Sequence, residues 1–517
     1  MSLQTLFFSS LGVVFMSSAL GANILAVFSC AFPSHLIVEI SMAKVLAENG
    51  HNVTVITTLK PHVSHKNINL IYIPLTKEEQ LSQDASIASM VERDNSNMVS
   101  ALFRMRDQVS FAFKKNRNVM KDRRVIDLYE NKDNQFDLVM IGYFLNDFQI
   151  GIAQKLKVPV VIATSMFQWE VFESMLGSVQ AKPASFFSER LGNLIISNAL
   201  RLFTYAIKLD NAKAYKELYG NDPSMPAYAD LNKNVSLVLF NSYSFSEGPI
   251  RSSVPAVIEV GGIQIKDKPD PLPLKIANFL SDAKDGAILL CLGSNVKGAH
   301  LQPSTVKKMF NVLAKLKQKV IWKWEDLNKI PGKSENILFS EWVPQNDILA
   351  HPKIRLFINH AGRGGITESQ FHGKPMLSLP VFGDQPANAD KMVKDGFGLS
   401  MSLLTLEEQP FHDKIKEVLE NPKYTQKVKA FSKLFRDRPL TARQSVLYWT
   451  EYVLRHHGAP HLQSPLVHMG FIAANNLDVY AFLTCISIFI LSSCQFIVKL
   501  VYRKMTGNAH IRKLKIL

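Results

Sequence analysis

The densest run of chemistry-bearing side chains lies between residues 342 and 385. There Trp342-Val343-Pro344-Gln345, then Asn359-His360-Ala361-Gly362-Arg363-Gly364-Gly365-Ile366-Thr367-Glu368, then Gly383-Asp384-Gln385 follow one another. Gly362, Gly364 and Gly365 allow a tight turn and a close approach of backbone to a ligand. A helix over about 365–372 is stopped by Gly373 and Pro375. Its free N–H groups and the positive end of its dipole face whatever sits above the preceding strand, which suits a diphosphate. The chemistry expected here is therefore the binding of a phosphate-type anion. The glycine spacing by itself also fits plain loop geometry; the full run is the specific signal. A second position stands apart from this cluster. His35, in Phe32-Pro33-Ser34-His35, falls at the start of a predicted helix. The helix's positive end favours the neutral imidazole, the form that accepts a proton. The plainer reading of a lone histidine there is a capping or surface residue.

Both positions need strands and helices to hold them. Residues 24–28 read as an apolar strand. A helix follows, with Ser34 as its cap and Leu36/Ile37, Ile40, Ala43 and Leu46/Ala47 at helical spacing. Asn49-Gly50 stops it before a strand at 53–56. This is a βαβ unit, and units of this kind in series make a parallel, doubly wound sheet. Further strands are expected at 71–74, 136–141, 158–163, 235–241 and 257–260, while 76–130 is helical in period and hard to place. The stretch 165–219 is rich in Phe, Met and Leu, including Phe186-Phe187, Leu191 and Leu194, and reads mainly as core and helix packing. Gly261-Gly262 and a proline-rich run over 266–273 make a linker. The pattern then restarts: strand 287–292 ending in Gly293-Ser294, helix 304–317, strand 320–324, strand 356–359, strand 376–379. Pro386 suits the first turn of a helix, and further helices are expected at 387–394, 407–420 and 423–435. An amphipathic stretch at 441–455 leads back towards the first unit or a membrane.

A chain of 517 residues exceeds one ordinary core and implies two domains. The formal charge of +15 invites a nucleic-acid reading, but Lys499, Arg503, Lys504, Arg512, Lys513 and Lys515 place much of the excess in a tail. The other cluster, Lys114, Lys115, Arg117, Lys121, Arg123 and Arg124, reads as a solvated helix face. No nucleic-acid module is recognisable, and no nucleic-acid partner is expected. The four cysteines, Cys30, Cys291, Cys485 and Cys494, read as free thiols. Residues 3–20 are apolar and uncharged, with Ala19-Leu20-Gly21 as a cleavage site, and predict a signal peptide over 1–21. Residues 479–498 carry no charge and suffice for one membrane crossing. The basic flank at 499–517 puts the tail in the cytosol and the body in the lumen, a single-pass type I arrangement. Asn52-Val53-Thr54 and Asn234-Val235-Ser236 are sequons compatible with a lumenal glycoprotein.

The whole 342–385 run closely resembles the donor-binding signature of the UDP-glycosyltransferases, and the likeness extends over nearly the whole chain. The resemblance implies the GT-B fold: two Rossmann-like domains facing a cleft, plus one C-terminal transmembrane helix. It sets an acceptor-binding domain at 22–262, a linker at 263–273, a UDP-sugar domain at 274–440, and returning helices at 441–478. It implies that Trp342 stacks on uracil with Val343 also in the donor site, that Gln345 and Glu368 hold the ribose, and that His360, Ser294 and the N–H groups near Gly362 and Gly364 hold the diphosphate. Asp384 and Gln385 would grip the sugar. His35 matches the family's catalytic base. Its aspartate partner usually follows the strand at 136–141, where this chain has Gly142-Tyr143; the nearest carboxylate downstream is Asp147, which becomes the expected partner. Ala361 replaces a usual glycine. The resemblance implies inverting transfer of a hexose, glucose ahead of glucuronic acid, from a UDP-sugar to a small lipophilic acceptor. The UDP-sugar is a co-substrate, no metal or other cofactor is expected, and a homo-oligomer is compatible with the family. The terminal Lys513 and Lys515 resemble a dilysine signal for the endoplasmic reticulum membrane. Two rival readings remain: a UDP-sugar-binding membrane protein with impaired catalysis, and a hydrophobic-ligand carrier.

Overall fold

Parallel strands joined by helices build two sheets. The computed structural model describes residues 21–61, 63–92, 98–165, 186–244, 254–266, 268–294 and 296–514. The expected signal segment at 3–20, Met166 to Leu176 of the apolar stretch, and Lys515 lie outside the described residues. The first sheet holds β1 (Asn23–Phe28), β2 (Asn52–Thr57), β3 (Ile68–Tyr72), β4 (Leu138–Gly142), β5 (Val160–Thr164), β6 (Val235–Phe240) and β7 (Val257–Glu259), in the order β3-β2-β1-β4-β5-β6-β7. The second holds β8 (Ala287–Cys291), β9 (Lys319–Lys323), β10 (Ile337–Ser340), β11 (Ile354–Asn359), β12 (Met376–Ser378) and β13 (Gly398–Ser400), in the order β10-β9-β8-β11-β12-β13. Both are all-parallel, and each reverses direction between its first and fourth strands, the doubly wound pattern. The sequence reading missed β10 and β13, which are only four and three residues long.

Alternation along the strands decides which helix each face receives. In the first sheet, Ile24, Ala26, Phe28, Leu138 and Met140 face one way, against Leu36, Ile40, Ala43 and Leu46 of α1 (Pro33–Glu48). Leu25, Val27, Val139, Ile141 and Tyr143 face the other way, into a core completed by Phe148 and Tyr215. α1 starts with Pro33 in its first turn and Phe32 as its cap residue, without a side-chain cap bond. Ser34, the expected cap, lies inside the helix and is exposed. The proline's fixed φ makes a serine cap unnecessary.

The helix α2 (Phe187–Tyr219) buries Thr204, Asn211, Ala214, Tyr215 and Tyr219, all in its second half. Phe186, Phe187, Leu191 and Leu194 are exposed, Phe187 by 72%. The expected core packing of this stretch is thus corrected for the residues described: the first half of α2 leaves its large apolar side chains exposed. The basic cluster is the solvated face expected, with Lys114, Lys121, Arg123 and Arg124 exposed and Lys115 the buried exception. Lys115 is buried on Glu79 and the Pro74 carbonyl, Lys121 and Arg117 pair with Glu217, and Arg124 pairs with Asp122.

In the second domain, α3 (Gln345–Ala350), α4 (Arg363–His372) and α5 (Gln385–Lys394) each begin at the site side of the sheet. The helix α6 (Ala442–Arg455) returns to the first domain. Its Val446 and Val453 are buried in the α1 face, and Arg443 bonds Glu48 at 2.6 Å. A final helix, α7 (Leu477–Leu514), contains a 28-residue segment, Leu477–Lys504, long and apolar enough to cross a membrane, and none of its best apolar window is buried in the protein. Cys30 and Cys291 are buried free thiols, and Cys485 and Cys494 are exposed on α7.

Candidate active site

In doubly wound sheets ligands bind beyond the carboxyl ends of the strands, where the strand order reverses. Those points lie between β1 and β4 in one sheet and between β8 and β11 in the other. His35 follows β1, Ser294 follows β8 and His360 follows β11, so the sequence-predicted residues fall where the topology expects a ligand.

His35 Nδ1 lies 2.8 Å from Ser165 Oγ. Its ring meets Phe144 edge-on at 5.2 Å and leans against Phe32 at 6.0 Å. Burial lowers its pKa to about 4, against the opposing pull of the Asp384 carboxylate from the second domain. The imidazole is neutral at physiological pH, and Asp384 is near enough to act on it across the cleft. Ser165 escaped the sequence reading, although a serine immediately after a strand at the reversal point is a visible signal.

Asp147 is not the partner of His35. Its Oδ1 accepts from the Tyr143 hydroxyl at 2.6 Å and its Oδ2 from the Tyr228 hydroxyl at 3.2 Å, and it is buried. Strand alternation explains the correction. Met140 and Gly142 face α1, whereas Tyr143 and the carboxylate bound to it belong to the opposite face of the sheet.

On the donor side, Asn359 locks the turn after β11: its Oδ1 accepts from the Ala361 N–H at 2.8 Å and the Ser378 hydroxyl at 2.9 Å. Ala361 takes the left-handed conformation that glycine adopts without strain, with φ of 60°. Gly362 has an ordinary φ of −67°, and its glycine character serves packing. A Cβ at Gly362 would stand 2.3 Å from His360 Nε2, and one at Gly293 would stand 2.5 Å from its Cε1. The two glycines thus clear the space for the His360 ring. Burial lowers the His360 pKa to about 4, and its Nδ1 has no hydrogen-bond partner among the described residues. Around Gly364 the nearest atom to an added Cβ is Gln264 Nε2 at 3.7 Å, which leaves the first turn of α4 open. Arg363 opens that helix; burial lowers its pKa to about 10 while Asp384 opposes the shift. The sequence reading passed over Arg363, a cation at the helix start where an anion is expected.

Gln345 Nε2 donates to Glu368 Oε2 at 2.8 Å, and Gln264 also bonds this carboxyl. Burial lifts the Glu368 pKa to about 7. Trp342 is 52% exposed, while the next residue, Val343, is buried. Gln385 Oε1 accepts from the Val381 and Phe382 N–H groups at 2.8 and 3.1 Å, which pins the loop that carries Asp384. Asp384 is exposed and accepts from Asn388 Nδ2 at 2.7 Å. Ser294 is exposed on the same rim. Among the described residues no group of three or more His, Cys, Asp or Glu side chains is poised to hold a metal. Lys297 of the second domain pairs with Asp84 of the first at 2.8 Å and ties the two rims together.

Residues 24–511 match the family model for UDP-glucoronosyl and UDP-glucosyl transferase. The chain belongs to the UDP-glycosyltransferase family. It is 31% identical to UDP-glucosyltransferase 2 of Dactylopius coccus, over 91% of this chain and 91% of the relative. It is 30% identical to UDP-glycosyltransferase UGT5 of the same organism, over 94% and 92%. It is 28% identical to mouse UDP-glucuronosyltransferase 2A3, over 91% and 91%. Among solved structures, a UDP-glucosyltransferase from Polygonum tinctorium matches 85% of this chain and 100% of its own with a TM-score of 0.54 at 17% identity, a likeness of fold. The fold is GT-B, and UDP-glycosyltransferases of this family are hexosyltransferases.

Proposed function

We propose that this UDP-glycosyltransferase transfers glucose from UDP-glucose to a small lipophilic acceptor with inversion, using His35 as the general base. The observation that carries the reading is the reach of Asp384. This one carboxylate, on the donor rim, acts on His35 in the first domain and on His360 and Arg363 in the second. That reach supports a crevice shared by base and donor cradle.

In the proposed reaction uracil stacks on Trp342 and the ribose hydroxyls meet Gln345 and Glu368. The diphosphate lies at the open first turn of α4, beside Arg363, His360 and Ser294, where N–H groups and a cation stabilise the departing UDP. Asp384 and the amide of Gln385 hold the sugar. Neutral His35 takes the acceptor's proton through Nε2 as its oxygen attacks the anomeric carbon, and Ser165 fixes the ring through Nδ1. Attack opposite to the leaving UDP inverts the centre. Glucose is favoured by the likeness to the Dactylopius glucosyltransferase and by the Trp-Val-Pro-Gln-Asn-Asp wording at 342–347. The apolar helix α7 with its basic flank supports a type I anchor in the endoplasmic reticulum membrane with the cleft in the lumen.

Membranes carrying the protein, given UDP-glucose or UDP-glucuronic acid and a panel of phenols and alcohols, test this directly. Product is expected from UDP-glucose, and His35→Ala is expected to cut kcat about a hundredfold or more while UDP binding persists. Donor binding without product, unaltered by His35→Ala, would favour a binding protein without catalysis instead.

A further inference from the structure

Glu39 sits in the middle of α1 with no evident occupation. It is 1% exposed, its Oε2 has no hydrogen-bond partner, and no ion pair involves it among the described residues. Helix periodicity sets it one turn below His35, on the same face, with Cβ atoms about 5–6 Å apart. Its carboxyl lies against Gly142, the last residue of β4. A Cβ at 142 would stand 2.5 Å from Glu39 Cδ and Oε1 and 2.8 Å from Oε2. Gly142 faces α1 by strand alternation, so a side chain at 142 would project into the space that the Glu39 carboxyl fills. One residue gives up its side chain and the other supplies a carboxyl at the same point, one helical turn from the candidate base.

Stability does not account for this arrangement. An unpartnered buried carboxyl costs free energy, and an apolar side chain of similar size would pack there without that cost. Burial lifts the Glu39 pKa to about 8, and the Glu39 charge in turn helps push the Cys30 thiol up. A strongly perturbed, unpartnered buried carboxyl one helical turn from a candidate base points to function.

We propose that Glu39 is the positioning acid of His35, supplying from within the same helix the carboxyl that position 142 lacks. The inference rests on the reading of His35 as the base. In the step concerned the acceptor O–H proton moves to His35 Nε2 and the acceptor oxygen forms its bond to the anomeric carbon. The bond from that carbon to the β-phosphate oxygen breaks, its electron pair leaving on UDP. Glu39 exchanges no proton; as the carboxylate it offsets the charge of the imidazolium. The groups facing the pair are Cys30 beyond β1, Ser165 beyond β5, and Asp384 acting on His35 from the second domain. Because the working form carries an ionised Glu39, turnover rises as pH passes through about 8.

The test uses the full-length protein in detergent, with UDP release from UDP-glucose measured to water and to 1-naphthol, and UDP binding measured by calorimetry. Glu39→Gln is expected to lower kcat about tenfold or more, leave the KM for UDP-glucose within about twofold, and flatten the rise in rate between about pH 7 and 9. The acceptor's own ionisation is common to both proteins and cancels in their ratio. Gly142→Asp forces two carboxyls into one space and lowers both turnover and melting temperature. Glu39→Ala combined with Gly142→Asp moves the acid to the strand and recovers most of the kcat lost in Glu39→Ala. Wild-type kcat and pH profile in Glu39→Gln overturn the inference, as does a double variant no faster than Glu39→Ala. His35→Ala separates the two readings. If it leaves UDP release unchanged, the base assignment fails; if it abolishes release while Glu39→Gln is silent, only the role of Glu39 fails. A wild-type protein that releases no UDP overturns both.

Discussion

Ser165 and Glu368 show how single side chains tune the two walls of the cleft. Ser165 holds His35 through a neutral hydrogen bond, weaker than the charge-assisted bond a carboxylate would make. Ser165→Ala is therefore expected to lower kcat by about three- to tenfold with UDP-glucose KM unchanged, measured by steady-state kinetics. Glu368 makes a prediction with a definite sign. Its pKa of about 7 in the fold, against an ordinary 4.5, means that the folded chain holds a proton which the unfolded chain has released between those values. The destabilisation is absent below about pH 4.5 and fully present above about 7. Glu368→Gln should then raise the melting temperature of the free protein at pH 8 and leave it unchanged at pH 4.5. Ribose hydroxyls donate best to the ionised form, so wild-type UDP affinity strengthens between pH 6 and 8, and Glu368→Gln loses both affinity and slope in calorimetric titrations.

At the scale of elements, α6 closes the first domain although it comes after the second. Val446 and Val453 are fully buried against the α1 face, and Arg443 bonds Glu48. Val446→Ala is expected to cost about 2 kcal/mol, read as a lower urea midpoint for the first domain, by removing buried methyl groups and leaving a cavity. The returning helix was legible in the sequence as an amphipathic stretch, but not its destination, because periodicity fixes a face and not the surface that the face meets. Strands with long apolar runs, such as β1, β4 and β8, were equally legible, whereas β10 and β13 are too short to carry a period. The donor loop was readable because its residues are contiguous. The His35 wall was not: Asp147 lies close along the chain yet on the wrong face of the sheet, and Glu39 is recognisable only once Gly142 is seen to leave it room. Which face a side chain takes past a strand end depends on the loop, and loop geometry is not written in hydrophobic pattern.

For the whole molecule, two doubly wound sheets set their reversal points towards each other, bridged by Lys297–Asp84 and by the field of Asp384 on His35. The apolar helix α7 follows a body whose first-domain helix α2 leaves Phe187, Leu191 and Leu194 exposed. The central claim is that one crevice holds a proton acceptor on one wall and a nucleotide cradle on the other. Its most direct test is a structure of the chain bound to UDP-2-deoxy-2-fluoroglucose, a donor analogue that resists transfer. The account predicts uracil on Trp342, the diphosphate at the first turn of α4 beside Arg363 and His360, and the anomeric carbon turned towards His35 Nε2 with room for one acceptor oxygen between them. A sugar directed away from His35, or a nucleotide seated elsewhere than the α3–α4 rim, would contradict it.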